Sequence, residues 1–314
     1  MQRDTNNSWV MVTGGTGGIG KALIAQLATR GHNIIATARE PERIPIARGP
    51  GRVVGVHLNM ERPETMAAAA RDAARIVGDG ELSALVNMAG VIVEGPLEAI
   101  PPAELRRQLE INVVGPFALT QALLPLLKRA RGRVVNIGAI SAHLTVPFYG
   151  PIAASKSALA SLSDAMRLEF AQYGVDVILI EPGAMKTEIF STSRATRDAN
   201  LRAFPEQERR YRPALTEMDR AFEKAGADDP EVVVDAVIKA VFGKRPKPRV
   251  VVGKGTGALL MLSHLPIRTR DKLVKSALGL TNALKPATEK IRRMDATAAS
   301  SPVVSSPLPK RVNN

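Results

Sequence analysis

The fold of this chain is decided by the segment Thr13-Gly14-Gly15-Thr16-Gly17-Gly18-Ile19-Gly20. This segment follows an apolar run, WVMV at residues 9–12, that predicts a buried strand, and it leads into KALIAQLATRG, which has the spacing of a helix. Glycines at such a turn let the backbone bend tightly and approach a pyrophosphate, while the start of the helix offers free N–H groups and a positive dipole end. The segment therefore predicts a dinucleotide-binding βαβ unit.

Strand-like and helical patterns alternate through the next part of the chain. The strand-like runs are NIIATAR, VVGVHL, LSALVNMAG, RVVNIGAIS, VDVILIEPG and, near residue 250, RVVVG. One helical pattern is expected to end near Val77. Two others run from Leu105 to Ala130 and from about Ala153 to Tyr173, and a further one is EVVVDAVIKAVFG. Nearly continuous apolar strands separated by helices are typical of a parallel sheet covered on both faces. The predicted class is α/β, a doubly wound parallel sheet of Rossmann type in three α/β/α layers, over residues 1–254.

Three segments depart from this alternation. Residues 188–228 carry six arginines between Arg194 and Arg212 and few long apolar runs, so they are interpreted as a mobile lid over a pocket. Residues 255–295 form a basic amphipathic C-terminal extension, and residues 296–314 are expected to be a disordered tail.

The net charge of +13 lies mainly near the C-terminus, because residues 251–314 hold eleven Lys or Arg against three Asp or Glu. The stretch LLMLSHLPIRTRDKLVKSALGL mixes apolar and basic residues, so it can contact an anionic membrane surface peripherally. The alternative is a final helix packed on the domain with its lysines in solvent. Nucleic acid is not an expected partner, because the cations are not interleaved with aromatic residues that stack on bases.

Composition excludes several classes of site and location. The chain has no cysteine, which removes disulfides, thiolate nucleophiles and cysteine-based metal sites, and no metal is predicted. The first residues lack the pattern of a secretion signal, and the longest apolar run is far shorter than the ~18 residues of a membrane span. The expected location is cytoplasmic.

The end of the second strand bears on which dinucleotide is bound. The sequence there is Ala36-Thr37-Ala38-Arg39, with no acidic residue to accept hydrogen bonds from the ribose hydroxyls of NAD. Arg39 instead offers a planar cation to a 2′-phosphate. NADP(H) is therefore the predicted cofactor.

Several motifs in order make the chain resemble the short-chain dehydrogenase/reductase family over about residues 7–250. Besides the glycine segment, they are Asn87-Met88-Ala89-Gly90, Asn112, Ala154-Ser155-Lys156, and Pro182-Gly183 with Thr187. The context is most similar to the retinol and hydroxysteroid dehydrogenases, which implies a small lipophilic alcohol or carbonyl as substrate. The resemblance also implies a cofactor site formed by Thr13, Gly14, Thr16, Gly17, Gly18, Ile19, Gly20, Arg39, Asn59, Asn87, Ala89, Gly90, Lys156, Pro182, Gly183 and Thr187, and a homodimer or homotetramer associated through the fourth and fifth helices.

The reacting centre departs from the family pattern. The family's catalytic tyrosine stands four residues before the lysine, where this chain has Ile152, and its serine stands at the position of Ala139. Asn112 and Lys156 are retained. Candidate replacements are Tyr149, kept off the helix by Gly150-Pro151, and Ser141, if the strand geometry continues to it; His143 and Thr145 are weaker ones.

Three functions remain open on the sequence. The first is an NADP(H)-dependent oxidoreductase with a degenerate tetrad, in which another group or water completes the proton transfer. The second is a cofactor-binding, non-catalytic or regulatory protein. The third is a non-redox isomerase or cyclase that uses the apolar pocket left by Ala139 and Ile152.

Overall fold

The computed structural model describes residues 7–46 and 48–284, and a seven-stranded parallel sheet forms its centre. Every neighbouring pair of strands is parallel, in the order β3-β2-β1-β4-β5-β6-β7. This confirms the predicted fold class. The strands are β1 (Ser8–Thr13), β2 (Asn33–Ala38), β3 (Val53–His57), β4 (Glu81–Asn87), β5 (Arg133–Ile137), β6 (Asp176–Pro182) and β7 (Arg249–Val252).

Helices cover both faces of the sheet. One apolar core joins it to α2, α4 and α5, and a second joins it to α1 and α8. Side chains alternate along β1 accordingly, with Met11 in the first core and Val10 and Val12 in the second. The helices are α1 (Gly18–Thr29), α2 (Pro63–Val77), α3 (Pro102–Leu109), α4 (Gly115–Ala130), α5 (Gly150–Phe170), α6 (Ile189–Leu201), α7 (Pro205–Ala225), α8 (Glu231–Phe242), α9 (Thr256–Ser263), α10 (Ile267–Ala277) and α11 (Leu280–Ala283).

The carboxyl ends of the strands meet at one edge of the sheet. The register pairs Thr13 with Thr37, Asn87 with Asn136, and Ile137 with Ile180. The chain builds outward from β1 to β3, then returns to the other side of β1 with β4, so a crevice opens between the two halves. In doubly wound sheets, ligands bind in this crevice.

The arginine-rich segment, for which the sequence predicts a mobile lid, is helical. It forms α6 and α7, and Leu201, Leu215 and Met218 on these helices are buried. Pairing explains the difference: Arg197 binds Asp219 and Arg212 binds Asp198, so the arginines that obscure the helical pattern hold the two helices together.

The basic extension forms three short helices packed on the domain. Val274, Leu278 and Leu280 are buried in an apolar cluster with residues of α7. The sequence left open whether this segment contacts a membrane or packs on the domain. These three side chains pack on the domain. Residues 285–314, including the expected tail, lie outside the described part of the chain.

One helical run, Pro102–Ala130, is long and apolar enough to cross a membrane by length and composition. Its fully buried residues Leu119, Leu123 and Leu127 pack in the core beside the sheet, as in a core helix of a globular domain. The run is consequently weak evidence for a membrane span.

Candidate active site and cofactor site

The glycine segment forms a tight turn between β1 and α1. Gly14 has φ +72°, and a Cβ there would lie 3.1 Å from Ala89 Cα. A Cβ on Gly20 would overlap the Gly14 carbonyl oxygen, which explains why this buried helical position is glycine. Gly17 and Gly18 are exposed at the start of α1, where no side chain caps the free N–H groups. The turn therefore fits a bound pyrophosphate.

Thr13 ties this turn to the loop after β4. Its Oγ1 accepts hydrogen bonds from the backbone N–H groups of Met88, at 2.9 Å, and Ala89, at 3.0 Å. Asn87 is buried and donates to Asn136 Oδ1 at 2.8 Å and to Thr120 Oγ1. These bonds fix the floor of the crevice between β1, β4 and β5.

Arg39 and Asn59, which are predicted to contact the adenosine half of the cofactor, follow the ends of β2 and β3. Arg39 directly follows β2 and is exposed, and its backbone carbonyl is 2.9 Å from His57 Nδ1. Asn59 follows β3, is half-buried, and accepts a hydrogen bond from the Glu61 N–H through Oδ1. The position of Arg39 leaves its guanidinium accessible to an anion at the end of β2.

Asn112 lies where the helical run Pro102–Ala130 is interrupted. Residues Glu110–Val114 form a π-helical turn between α3 and α4, in place of the continuous helix expected from Leu105 to Ala130. The buried Asn112 side chain accepts from Val91 N at 2.9 Å and donates to Val91 O at 3.0 Å. It thereby holds the segment after Gly90 in place.

Gln108, which the sequence analysis did not single out, supports the same segment. Its amide accepts from Val93 N at 2.6 Å and donates to Val91 O at 2.8 Å. Both Gln108 and Asn112 also donate to Ser155 Oγ on α5 at 3.2 Å. The network positions α5 relative to the β4 loop.

Lys156 follows Ser155 on α5. Its Nζ donates to Ile137 O at 2.7 Å and lies 4.0 Å from the position of a Cβ on Gly90, which is also 3.2 Å from Asn112 Oδ1. Burial lowers the pKa of Lys156 to about 8. Near neutral pH this ammonium can therefore release and regain a proton.

Ala139 stands where the resemblance places a serine, and Ser141 does not follow it in extended geometry. Ala139 is extended (φ −168°, ψ 157°), but the chain then enters a 3₁₀ turn at Ile140–Ala142. The expected two-residue alternation that would align Ser141 with Ala139 is therefore wrong. Ser141 Oγ is enclosed and has no hydrogen-bond partner among the described residues.

Ile152 and Tyr149 lie in an apolar cluster, which we call the cap cluster, between α5 and the helices after β6. Ile152 is 5% exposed and Tyr149 8%. Tyr149 directly precedes α5, its ring packs edge-on to Phe222 at 5.4 Å, and its hydroxyl faces the Glu94 carboxylate. The cap cluster comprises Ala99, Leu144, Phe148, Tyr149, Ile152, Leu201, Ala214, Leu215, Met218, Val274, Leu278 and Leu280.

The contact with Glu94 makes Tyr149 a poor proton donor. Burial and the Glu94 charge raise the pKa of Tyr149 well above its ordinary value. Burial also raises the pKa of Glu94, against the opposing effect of the Tyr149 hydroxyl and the Arg197 charge. A catalytic contribution of Tyr149 stays a prediction that this environment does not favour.

A buried ionic cluster beside Tyr149 was missed by the sequence analysis. Arg197 on α6 lies 3.2 Å from Glu94 Oε1 and binds Asp219 on α7 with two hydrogen bonds, of 3.1 and 2.9 Å. The side chains of Arg197 and Glu94 are 3% and 0% exposed. The sequence signal that could have revealed it is the lone acid in VIVEG, since a buried acid needs a partner.

His143 and Thr145 lie in the loop after the 3₁₀ turn. His143 Nε2 is 2.9 Å from an oxygen of Glu181, whose side chain is fully buried, and Arg249 Nε is 3.8 Å from the same carboxylate. Thr145 is exposed. His143 therefore has a structural partner, in contrast to the surface histidine that its loop position suggests.

The loop after β6 closes the site next to the glycine turn. Gly183 N–H donates to Val252 O at 3.0 Å, and Thr187 Cγ2 lies 3.1 Å from the position of a Cβ on Gly18. Pro182 is buried at the end of β6. The structure thus brings the predicted nicotinamide segment against the predicted phosphate turn.

The comparison with protein families decides what this arrangement is. The model described as "short chain dehydrogenase" matches residues 8–198. The chain belongs to the short-chain dehydrogenase family. Within that part of the family's pattern, Ile152 and Ala139 occupy the positions where the sequence analysis expected tyrosine and serine.

Three members of the family illustrate the similarity. The NADPH-dependent 3-dehydrocapnine reductase of Ornithobacterium rhinotracheale is 34% identical, over 84% of this chain and 95% of its own length. Human retinol dehydrogenase 16 is 30% identical, over 85% of this chain and 88% of its own. A short-chain dehydrogenase from Burkholderia cenocepacia, solved in complex with NADP, has a TM-score of 0.65 and 26% identity, covering 88% of this chain and 98% of that one.

Proposed function

We propose that this short-chain dehydrogenase is an NADP(H)-dependent oxidoreductase acting on the alcohol or carbonyl group of a lipophilic substrate, with a degenerate tetrad. The observation that carries the proposal is the geometry of the predicted cofactor half of the site. The glycine turn is open to a pyrophosphate, and Lys156, Asn112 and Gly90 lie together at the end of β4 and β5. Relatives that use NADPH or bind NADP support the choice of cofactor.

Different residues of the chain would bind different parts of the cofactor and the substrate. The N–H groups at the start of α1 would hold the pyrophosphate, Arg39 the 2′-phosphate, and Lys156 the nicotinamide ribose. Bound NADPH supplies a hydride to a carbonyl carbon. The apolar side chains of the cap cluster around Ile152 would exclude water and favour a lipophilic substrate.

Ile152 cannot supply the proton that reduction of a carbonyl requires. Lys156 has a pKa of about 8 and donates to a backbone carbonyl, so its ammonium is the group we assign to proton delivery to the substrate oxygen. General acid–base help is worth about 10²- to 10⁴-fold, so a poorly positioned donor gives slow turnover rather than none.

The assay that tests the function follows NADPH absorbance and product mass with a panel of lipophilic aldehydes and ketones. We expect NADPH consumption that requires the carbonyl compound and yields the matching alcohol. NADPH binding without turnover would instead assign a regulatory, cofactor-binding role. Product formed without NADPH consumption would assign an isomerase or cyclase.

Replacing Arg39 with Ala is expected to weaken NADPH binding about 10- to 100-fold, because hydrogen bonds to a charged group are worth about 1.5–3 kcal/mol. NADH binding should remain unchanged, since NADH lacks the 2′-phosphate. Isothermal titration calorimetry with both nucleotides measures the difference. Arg71→Ala, which removes an exposed arginine from α2, is the control, and equal losses for NADPH and NADH in Arg39→Ala would contradict the assignment.

The lowered pKa of Lys156 predicts a distinctive reactivity. Its amine should become nucleophilic as the pH rises through about 8, whereas a lysine in an unfolded chain requires a pH near 10.4. Pulse acetylation over a pH series, read by peptide mass spectrometry, gives the midpoint, with the urea-unfolded chain as reference. Reduction should also slow as the pH rises through about 8, because the donor loses its proton. The same midpoint in folded and unfolded chains would exclude the Lys156 donor.

Self-association through α4 and α5 stays a prediction. Leu168 on α5 is 70% exposed, and Val114, in the π-helical turn that precedes α4, is 45% exposed. We propose a homodimer or homotetramer formed on this face, in a cytoplasmic setting that suits a chain without cysteine.

A further inference from the structure

The C-terminal helices α9 and α10 expose large apolar side chains at one end of the domain. Met261 is 73% exposed and Ile267 65%, with Leu273 at 46%. Leu259 and Leu265 are also exposed, at 37% and 39%. Five large apolar side chains thus face solvent within the fifteen residues from Leu259 to Leu273.

A basic stripe accompanies this apolar surface. Arg268, Lys272 and Lys275 follow each other at i, i+4 and i+7 on α10, so they lie on one side of the helix, and all three are exposed. None of them has an ion-pair partner within the described residues 7–46 and 48–284. Asp271 is the one acid in residues 254–284, and it pairs with Arg270 at 3.7 Å.

The domain holds α10 through a buried side chain. Val274 is buried in the cap cluster, and Leu278 and Leu280 continue this contact onto α7. The exposed apolar and basic side chains are therefore presented by a segment that is already packed on the domain. No further folding is needed to form the surface.

The chemistry of the surface selects one kind of partner. A second copy docked face to face would bring like charges together, because a two-fold contact pairs the same patch with itself. Single-stranded nucleic acid needs aromatic side chains for stacking, and residues 254–284 contain none. A bilayer with anionic headgroups accepts both the apolar side chains and the cations.

We propose that α9 and α10 dock this protein on the surface of an anionic phospholipid bilayer. Met261, Leu265 and Ile267 enter the boundary between headgroups and acyl chains. Arg268, Lys272 and Lys275 contact the lipid phosphates. This proposal is independent of the reaction assigned to the site.

Vesicle sedimentation of the full chain tests the proposal. We expect binding to mixed phosphatidylcholine–phosphatidylglycerol vesicles, weak binding to pure phosphatidylcholine, and release by high salt, because salt screens the charges. A triple variant, Arg268→Gln, Lys272→Gln and Lys275→Gln, should partition about 100-fold less well, at roughly a fivefold loss for each cation.

Two matched variants separate surface contact from general effects. Met261→Ser with Ile267→Ser keeps the charge and should weaken vesicle binding at least about tenfold, since it removes apolar surface from the bilayer. A control variant with Arg71→Gln, Arg106→Gln and Lys239→Gln removes the same charge from α2, α3 and α8 and should bind like the wild type.

Three outcomes would overturn the proposal. One is no binding to the mixed vesicles, and another is equal loss in the C-terminal and control variants. The third is a change of oligomeric state on Met261→Ser without vesicles, which would assign the face to a second copy. Circular dichroism of each variant excludes misfolding as the cause of a loss.

Discussion

A variant that carries Ile152→Tyr and Ala139→Ser is expected to reduce lipophilic carbonyls with NADPH about 10²- to 10⁴-fold faster than the wild type, the usual range for a positioned general acid. Position 152 is four residues before Lys156 on α5, so the two side chains share one helical face. The Lys156 ammonium, which is charged below a pH of about 8, would lower the pKa of the introduced phenol. Steady-state NADPH oxidation with the carbonyl panel measures the gain.

The control variant for this gain has phenylalanine in place of the new tyrosine, with nearly the same shape but no hydroxyl group. Ile152→Phe with Ala139→Ser imposes the same crowding in the cap cluster, where overpacking costs about 1–3 kcal/mol. Its activity should stay at the wild-type level while NADPH binding is retained. A tyrosine variant no faster than the phenylalanine variant would count against a latent reductase site.

Replacing Arg197 with Met is expected to lower the free energy of unfolding by about 3–5 kcal/mol, the usual cost of leaving a buried charge without its partner. The substitution leaves Glu94, whose side chain is fully buried, and the mostly buried Asp219 without their shared cation. Burial alone would lower the pKa of Arg197, but the hydrogen bonds to Asp219 and the Glu94 charge raise it, so the guanidinium is held in its charged form. Urea unfolding followed by circular dichroism gives the loss.

Two further variants locate the cause. Arg220→Met removes an exposed arginine of α7 that pairs with Glu217, and such surface pairs are worth about 0–1 kcal/mol. Adding Glu94→Gln to Arg197→Met should recover part of the lost stability, because it removes a buried unpaired charge. Equal losses in Arg197→Met and Arg220→Met would show that the cluster is not a structural centre.

The sheet and the cofactor turn could be predicted because their signals are local. The strands are continuous apolar runs, and Gly20 is required by its close approach to Gly14, six residues earlier. Arg39 was placed by counting to the end of β2. In each case the deciding contact or register follows from the nearby sequence.

The helices around the cap cluster could not be predicted, because some of their buried positions hold polar residues. The buried side of α6 consists of Ser193, Arg197 and Leu201, so hydrophobic periodicity does not reveal this helix. Arg197 is buried only because Asp219 and Glu94 approach it from elsewhere in the chain. Ser141 was misplaced for a related reason, since the 3₁₀ turn that redirects it carries no glycine or proline signal.

The position of α10 between the domain and the proposed membrane surface affects the route of a substrate to the site. Val274 lines the cap cluster near Ile152, while Lys272 and Lys275 on the same helix face outward. A bilayer on the outer side would lie roughly 10 Å from the cap cluster, the thickness of one helix. A hydrophobic molecule dissolved in the lipid would then approach Ile152 and its neighbours without first crossing bulk water.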